Sequence, residues 1–249
     1  MTETRRRDIV ATSDLFRGLP AEIVEHAVSG AIERRLCEGE ALFFKEDPSE
    51  FVAIVAEGRL YRILYGPRGQ ELIIDAIVAG ETVGETALLE RNPRSFTAMA
   101  YGPTLVLILP RRHFGPLLDT PAMIARANGL LRERLRRTVD AMEILCLHQL
   151  ESRLARRILS MIDGAGRASD FDLCGEAEVE LPPTQSILAA MVNVSRPKLN
   201  AQLQKWRRIG LTSCYRNILR IHDVDALRMR AGVAPRRAHA LPLMMRLPA

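Results

Sequence analysis

The sequence of 249 residues predicts an α+β fold: an N-terminal antiparallel β-roll, one long helix and a C-terminal helix-turn-helix with a β-hairpin wing. Three observations predict this fold. Residues 31–113 contain short β-type runs separated by turn residues. Residues 119–149 repeat apolar side chains at helical spacing, and residues 181–221 show the pattern of two short helices followed by a hairpin.

The chain begins with a polar stretch, residues 1–14, which we expect to be a loose arm. A short amphipathic helix is predicted next, because Pro20 stands at its start and Ile23, Val24 and Ala27 share one face. The β region follows, and glycine-containing turns divide it into six apolar runs at the spacing of a sandwich, barrel or roll. These runs are Ala41–Phe44, Val52–Ala56, Leu60–Tyr65, Leu72–Ile77, Phe96–Ala100 and Leu105–Leu109.

Within the β region, the stretch from Gly84 to Ala98 combines residue types that suit one kind of ligand. A helix-like segment starts at Thr86, so its free amide groups can face an anion. Arg94 supplies a guanidinium that pairs with phosphate, and Glu85 supplies a carboxylate that accepts from a hydroxyl. The stretch therefore predicts a site for a ligand that carries both a phosphate and a hydroxyl group.

A long helix is predicted to open at residues 119–121. Alternate steps of four and three residues from Ile124 give a mostly apolar stripe over about four heptads, flanked by charged residues such as Arg132 and Arg134. Such a narrow stripe is typical of a coiled-coil seam and indicates a parallel homodimer. The alternative is a helix that packs on its own β domain. The stripe positions are Ile124, Asn128, Leu131, Leu135, Thr138, Met142, Leu145 and Gln149.

A second helix is predicted over residues 150–162, and a loop or weak hairpin over residues 167–180. The segment 181–206 that follows has the pattern of a helix-turn-helix. Asn193 stands where the tight turn needs a positive φ, and Ser195 is a natural N-cap for the second helix of the motif. A helical hairpin used only for packing is the alternative. The predicted wing strands are Thr212–Tyr215 and Ile218–Ile221.

The positive charge of the chain is concentrated at its C-terminal end. Residues 1–149 carry 19 lysines and arginines against 21 aspartates and glutamates, whereas residues 150–249 carry 16 against 9. From Leu181 onward the numbers are 12 and 2. A basic end on a neutral body is the charge pattern of a nucleic-acid binder, and a solvated basic tail is the alternative for part of it.

Composition argues against several other classes of protein. The apolar runs are too short to span a membrane, and no apolar run of a secretory signal follows Arg5, Arg6 and Arg7, so the cytoplasm is the expected location. The four cysteines are scattered, so neither a disulfide framework nor a metal site is predicted. The five histidines are isolated, and neither a catalytic triad nor a phosphate-loop motif is present, so we do not expect an enzyme.

Together these motifs resemble the cAMP receptor protein/Fnr family of transcription regulators over residues 15–232. The stretch 84–98 is similar to the phosphate-binding cassette of cyclic-nucleotide-binding domains, with Gly-Glu-x-Ala-Leu followed at the family's spacing by Arg-Ser-x-Thr. The resemblance implies a cupin-like β-roll that binds a cyclic nucleotide, with cAMP as the first candidate and no metal. The implied ligand contacts are the backbone of Gly84, Thr86 and Ala87, the phosphate partners Arg94 and Ser95, the ribose partner Glu85, and Thr138 against the purine.

The same resemblance implies that a homodimer reads a pseudo-palindromic operator in double-stranded DNA. We expect an activator, with RNA polymerase as a further partner, and a repressor is the alternative. Arg196 keeps the family's arginine, whereas Pro197 and Ala201 replace residues of the best-known member, so a different operator is expected. The cysteine cluster of the Fnr branch is absent, so oxygen sensing through an iron–sulfur centre is not expected. The implied DNA contacts are Ser195, Arg196, Pro197, Lys198, Asn200, Ala201 and Gln204.

Two other functions stay open at this point. Phe96 and Val139 depart from the family's pocket, so one alternative is a DNA-binding regulator with a degenerate pocket that needs no effector or responds to cGMP or cyclic di-GMP. Another is a nucleotide-binding or enzymatic protein that does not touch DNA. The predicted domains are 1–118 for cyclic-nucleotide binding, 119–149 for dimerisation, 150–232 for DNA binding, and a flexible tail at 233–249.

Overall fold

The structure, a computed structural model, divides into two compact units, residues 1–141 and 142–249. The α+β class and the predicted order of β-roll, long helix and winged helix-turn-helix are confirmed. The greater part of the predicted tail and residues 89–91 of the cassette lie outside the described residues. The described residues are 1–88, 92–114, 117–118, 120–164 and 175–234.

The helices and strands have the following bounds. The first unit contains α1 (Glu3–Thr12), α2 (Ala21–Gly30), β1 (Ile32–Leu36), β2 (Ala41–Phe43), β3 (Phe51–Glu57), β4 (Arg59–Tyr65), β5 (Glu71–Val78), β6 (Thr82–Val83), the 3-10 helix Glu85–Leu88, β7 (Thr97–Ala100), β8 (Thr104–Pro110), α3 (Arg111–Phe114) and most of α4 (Pro121–Leu147). The second unit contains the end of α4, then α5 (Leu150–Gly164), β9 (Ala177–Glu180), α6 (Gln185–Met191), α7 (Arg196–Arg208), β10 (Thr212–Tyr215), β11 (Ile218–Ile221) and α8 (Val224–Arg230).

The β-roll consists of two antiparallel sheets with strand orders β1-β8-β3-β6 and β2-β7-β4-β5. All six apolar runs of the sequence form strands. Strands β1 and β6 were missed, because β1 buries only Leu36 fully and β6 has two residues. Side chains from both sheets form one core cluster, which includes Ala53, Leu60, Ile77 and Val106.

The expectation of a loose N-terminal arm is wrong, because residues 3–12 form helix α1. Thr2 caps this helix by accepting a hydrogen bond from the amide of Arg5. Arg6 forms an ion pair with Glu33, and Val10 is completely buried in the core. Ion pairs with residues distant in sequence therefore hold a helix whose own sequence lacks a marked apolar face.

Helix α4 has two apolar faces with different surroundings. Met123, Ala127 and Leu130 are buried in the core of the β-roll unit. Leu135 and Met142, two positions of the predicted seam, are 65% and 59% exposed in the single chain. The helix therefore packs on its own β domain through one face and leaves the seam face free.

The helix-turn-helix folds as the sequence predicts. Leu199, Leu203 and Trp206 are buried, and Asn193 has a φ of 51° in the turn. Ser195 occupies the N-cap position of α7, although its side chain makes no capping hydrogen bond. Strands β10 and β11 form the wing, and β9 joins it by pairing with β11. Of the predicted loop at 167–180, residues 167–174 lie outside the described residues.

The positive φ of Asn193 predicts a stability difference between two substitutions. Asn193→Val is expected to lower the free energy of unfolding of the second unit by about 1–2 kcal/mol, because a β-branched residue is strained in the left-handed region. Asn193→Gly is expected to cause a smaller change. Urea titration of the full chain, followed by the emission of its single, buried tryptophan, reports on this unit. Equal losses in the two variants would contradict the argument.

Candidate functional site

The cassette begins with a glycine that leaves room for a guanidinium. Gly84 has a φ of 80°, and a Cβ at this position would come within 2.4 Å of Nη1 of Arg94. That nitrogen donates to the carbonyl of Gly84 at 3.2 Å. The sequence therefore needs glycine here for two reasons: the backbone conformation and the close approach of Arg94.

Arg94 is a buried cation, with 1% of its surface exposed. Its guanidinium donates to the carbonyl of Phe51 and lies 4.2 Å and 4.7 Å from the ring centroids of Phe43 and Phe51. Burial lowers the pKa of Arg94 to about 10, against the raising effect of nearby carboxylates that include Glu85. Its Nε is buried without a hydrogen-bond partner among the described residues. An anion would supply the missing acceptor and the missing charge.

Arg134 of helix α4 reaches the same region, which the sequence analysis did not foresee. It is 5% exposed, and its Nη2 donates to the carbonyl of Thr82 at 3.0 Å and to Asp14 at 3.3 Å. Its Nε lies 3.6 Å from Glu85. Both Nε and Nη1 are buried without a hydrogen-bond partner in the described chain. The assignment of Arg134 to the charged flank of the seam was therefore wrong.

The other cassette residues divide between the interior and the surface. Glu85 and Ala87 are buried, whereas Thr86 and Ser95 are exposed. The hydroxyl of Thr138 donates to the carbonyl of Arg134 at 2.9 Å, one helical turn away. This bond goes to the backbone of the helix itself and does not involve the Arg134 guanidinium, which lies beside Glu85.

The arrangement fits an anionic ligand that also carries a hydroxyl. Two buried guanidiniums, those of Arg94 and Arg134, have three nitrogen atoms without a hydrogen-bond acceptor in the described chain. Gly84 has no side chain of its own to block the backbone, and the Glu85 carboxylate can accept from a hydroxyl. A phosphate ester of a sugar has both of the required groups.

Helix α7 presents a basic, polar row to solvent. The residues predicted from the sequence to contact DNA are exposed, except Asn200, which is half-buried with its Oδ1 lacking a hydrogen-bond partner in the described chain. Lys205, Arg207 and Arg208 extend the exposed basic surface to the end of the helix. The exposed predicted residues are Ser195, Arg196, Pro197, Lys198, Ala201 and Gln204.

The buried side of α7 is anchored by Glu151 at the start of α5. Its carboxylate accepts from Trp206 Nε1 at 2.9 Å and from Lys205 at 3.1 Å, and it lies 3.4 Å from Arg230. The hydrogen bond from Trp206 is the main reason why the pKa of Glu151 is lowered, against the effect of burial. This carboxylate fixes the last turn of α7 relative to α5 and α8.

Two protein-family models match the chain. Residues 33–120 match the cyclic nucleotide-binding domain, and residues 152–230 match the Crp-like helix-turn-helix domain. The exposed basic face of α7 lies in the second match, and the cassette lies in the first. The protein is thus a transcription regulator that combines a cyclic nucleotide-binding domain with a DNA-binding domain.

Two named relatives give the family. The cyclic AMP receptor protein of Thermus thermophilus is 31% identical over 153 residues, which are 60% of this chain and 70% of the relative. A CRP-like cAMP-activated global transcriptional regulator of Mycobacterium tuberculosis is 22% identical over 230 residues, which are 90% of this chain and 99% of the relative. This chain belongs to the cAMP receptor protein/Fnr family.

Solved structures have the same fold. FixK2 of Bradyrhizobium japonicum superposes with a TM-score of 0.69 at 17% identity, covering 82% of this chain and 98% of that one. The c-di-GMP-responsive regulator CLP of Xanthomonas campestris also has a TM-score of 0.69, at 20% identity, with 82% and 99% covered. Identities this low support the fold alone.

Some further features bear on the class of protein. Among the described residues, none of the helices combines the length and the apolar composition needed to cross a membrane. Within the same ranges, no three histidines, cysteines or carboxylates are grouped as a metal site. Cys37, Cys146 and Cys214 are free thiols, and Cys174 lies outside the described chain.

Glu151 predicts a pH dependence of the second unit. Since its folded-state pKa is lowered, its contribution to stability is present above the ordinary pKa of 4.5 and is lost as pH falls through the folded value. Glu151→Gln keeps an acceptor for Trp206 but removes the charge, so it is expected to cost about 1 kcal/mol at pH 7. This difference should shrink as pH falls below 4.5 and disappear once pH lies below the lowered folded-state pKa of Glu151. Urea titrations at several pH values, read by tryptophan emission, measure it; a constant difference would contradict the assignment.

Proposed function

We propose that this protein is a homodimeric, DNA-binding transcription regulator whose DNA affinity is controlled by cAMP bound in the β-roll. The observation that carries the proposal is the buried guanidinium of Arg94, whose Nε has no hydrogen-bond partner among the described residues. A site of this kind is stabilised by an anion, and the cyclic phosphate of cAMP supplies one. The cAMP-related names of two relatives support the choice of nucleotide.

Each predicted contact has a distinct role in this proposal. Arg94 and the backbone at Gly84 take the phosphate, and Glu85 accepts from the ribose hydroxyl. Thr138 on the long helix meets the purine. In this structure Arg134 lies within ion-pair distance of Glu85. The ribose of the effector therefore has to share Glu85 with Arg134 or displace Arg134 from it. The long helix thereby senses the occupancy of the β-roll.

The exposed seam of α4 supports dimerisation. Leu135 and Met142 of the seam, and Val139 beside it, are each more than half exposed in one chain, although all three are large and apolar. Burial of such a stripe against a second copy is favourable at roughly 25 cal/mol per Å². A parallel pair would place two recognition helices about 34 Å apart, one turn of DNA, on a pseudo-palindromic operator.

In this proposal cAMP acts by shifting the balance between two arrangements of the dimer. A ligand shifts such a balance only by its difference in affinity for the two states. The proposed setting is the cytoplasm, and the proposed outcome is activation of transcription with RNA polymerase as a further partner. No catalytic role is proposed for any residue.

Arg94→Leu tests the effector site. The variant is expected to lose about 100-fold or more in affinity for cAMP, because it removes the charged partner of the phosphate in a buried site. The melting temperature without cAMP should stay the same or rise, since an uncompensated buried charge is removed. Calorimetric titration and melting curves with and without cAMP measure both quantities.

Arg68→Leu is the matched control, because Arg68 is an exposed arginine in the turn between β4 and β5. It should keep the affinity of the wild type. If Arg94→Leu also binds cAMP normally, the site assignment is wrong. If the wild type gives no heat and no melting shift with cAMP, cGMP or cyclic di-GMP, the regulator with a degenerate pocket is favoured instead.

Arg196→Ala tests the DNA surface. The variant should bind a duplex selected by the wild-type protein roughly 10–100-fold more weakly, because an arginine on the exposed row of α7 suits bidentate pairing with a base edge. Lys198→Ala should reduce by about 1 the magnitude of the slope of log affinity against log salt concentration. Fluorescence anisotropy over a salt series measures both. Arg17→Ala, an exposed arginine of the β-roll unit, is the control, and an equal loss there would refute a specific role for α7.

A further inference from the structure

A buried ion pair lies on the inner face of the β-roll, apart from the cassette residues already described. Arg62 of β4 and Asp75 of β5 are cross-strand neighbours, and Arg62 donates from Nε and Nη2 to both carboxylate oxygens of Asp75. The two side chains are only 7% and 18% exposed. Leu60 lies two residues before Arg62 and Ile77 lies two residues after Asp75, on the same face of each strand. Leu60 and Ile77 pair across the strands and belong to the core cluster between the sheets.

Stability gives no sufficient reason for this pair. The desolvation of two charges offsets most of their attraction, and apolar residues of similar volume would fill the same space at least as well. Burial acts to lower the pKa of Arg62, but the hydrogen bond and charge of Asp75, with smaller contributions from Glu85 and Glu81, raise it above its usual value. The Arg62 guanidinium is therefore charged, and it lies within electrostatic reach of Glu85, the proposed ribose partner.

An aromatic wall connects the pair to the phosphate site. The Arg62 guanidinium lies 5.4 Å from the ring centroid of Phe96, the residue that follows Ser95 in the cassette. The Phe96 ring lies 5.6 Å from that of Phe43, and Arg94 lies 4.2 Å from Phe43 on the other side. Arg62 and Arg94 thus occupy the two ends of one wall, which is lined by rings suited to contact a flat base.

The pair offers a donor beside an acceptor. After its two bonds to Asp75, Arg62 still has the N–H groups of Nη1, and each oxygen of Asp75 still has a lone pair. Adenine presents an amino group beside a ring nitrogen that accepts, which matches this pattern. Guanine presents a carbonyl oxygen where adenine has the amino group, and a carboxylate repels that oxygen.

We propose that Arg62 and Asp75 select the base of the effector, with Asp75 accepting from the amino group of adenine and Arg62 donating to the adjacent ring nitrogen. The inference rests on the proposed function and deepens it, because it assigns the preference for cAMP over cGMP to two named side chains. These side chains lie on strands β4 and β5, outside the residues assigned to the phosphate, and β4 pairs with β7, the strand that ends the cassette.

Asp75→Asn tests the proposal by calorimetric titration of the full chain with cAMP and with cGMP. The wild type is expected to bind cAMP at least about tenfold more tightly than cGMP. In the variant this ratio should fall at least about fivefold, because an amide can donate to the guanine oxygen or accept from the adenine amino group. Glu40→Gln is the control: Glu40 pairs with Arg34 at the surface of the same domain, and its removal should leave the ratio unchanged.

A second variant keeps the test decisive if Asp75→Asn does not fold. Arg62→Met combined with Asp75→Leu replaces the pair by apolar side chains of similar volume, and it should lose the preference in the same way. If either folded variant binds both nucleotides in the wild-type ratio, the inference fails while the proposed function stands. A wild type that prefers cGMP overturns the inference as well. A wild type that binds neither nucleotide overturns the proposed function and the inference together.

Discussion

The burial of the Arg134 guanidinium is the constraint on which the arrangement of the long helix depends. A cation in a protein interior is stable only beside acceptors and opposite charges, and Arg134 finds them in Asp14, Glu85 and the carbonyl of Thr82. These partners fix the rotation of α4 about its axis. Because the rotation is fixed, Leu135 of the seam stays exposed in the single chain.

The effector site is held together by contacts that a ligand would have to exchange. Arg94 donates to two backbone carbonyls, and Glu85 lies beside Arg134. The Arg94 guanidinium and the Glu85 carboxylate therefore both have partners in this structure. Both arginines nevertheless keep buried N–H groups without acceptors in the described chain. The site is therefore stable as it stands but incompletely satisfied, which is a suitable starting state for a switch with two populated arrangements.

The sequence predicted those features whose signal is local. The six strand runs, the turn at Asn193 and the wing follow from alternation, a permissive residue and hairpin spacing, and the structure confirms them. Helix α1, Arg134 and the Arg62–Asp75 pair were missed. Each of these depends on partners far away in the chain: Glu33 for α1, Thr82 for Arg134, and a cross-strand register for the pair. From the sequence alone, such charged residues are interpreted as solvent-exposed, because their partners become adjacent only in the folded chain.

The two faces of α4 also restrict how the length of this helix can change. One face carries Met123, Ala127, Leu130 and Arg134 into the β-roll unit, and the other carries the seam onward through Leu135 and Met142. Successive residues of a helix are rotated by about 100°. A single inserted or deleted residue after Arg134 would turn the rest of the seam away from its stripe, whereas seven residues would nearly restore it. Viable length variants of this segment should therefore differ by whole heptads.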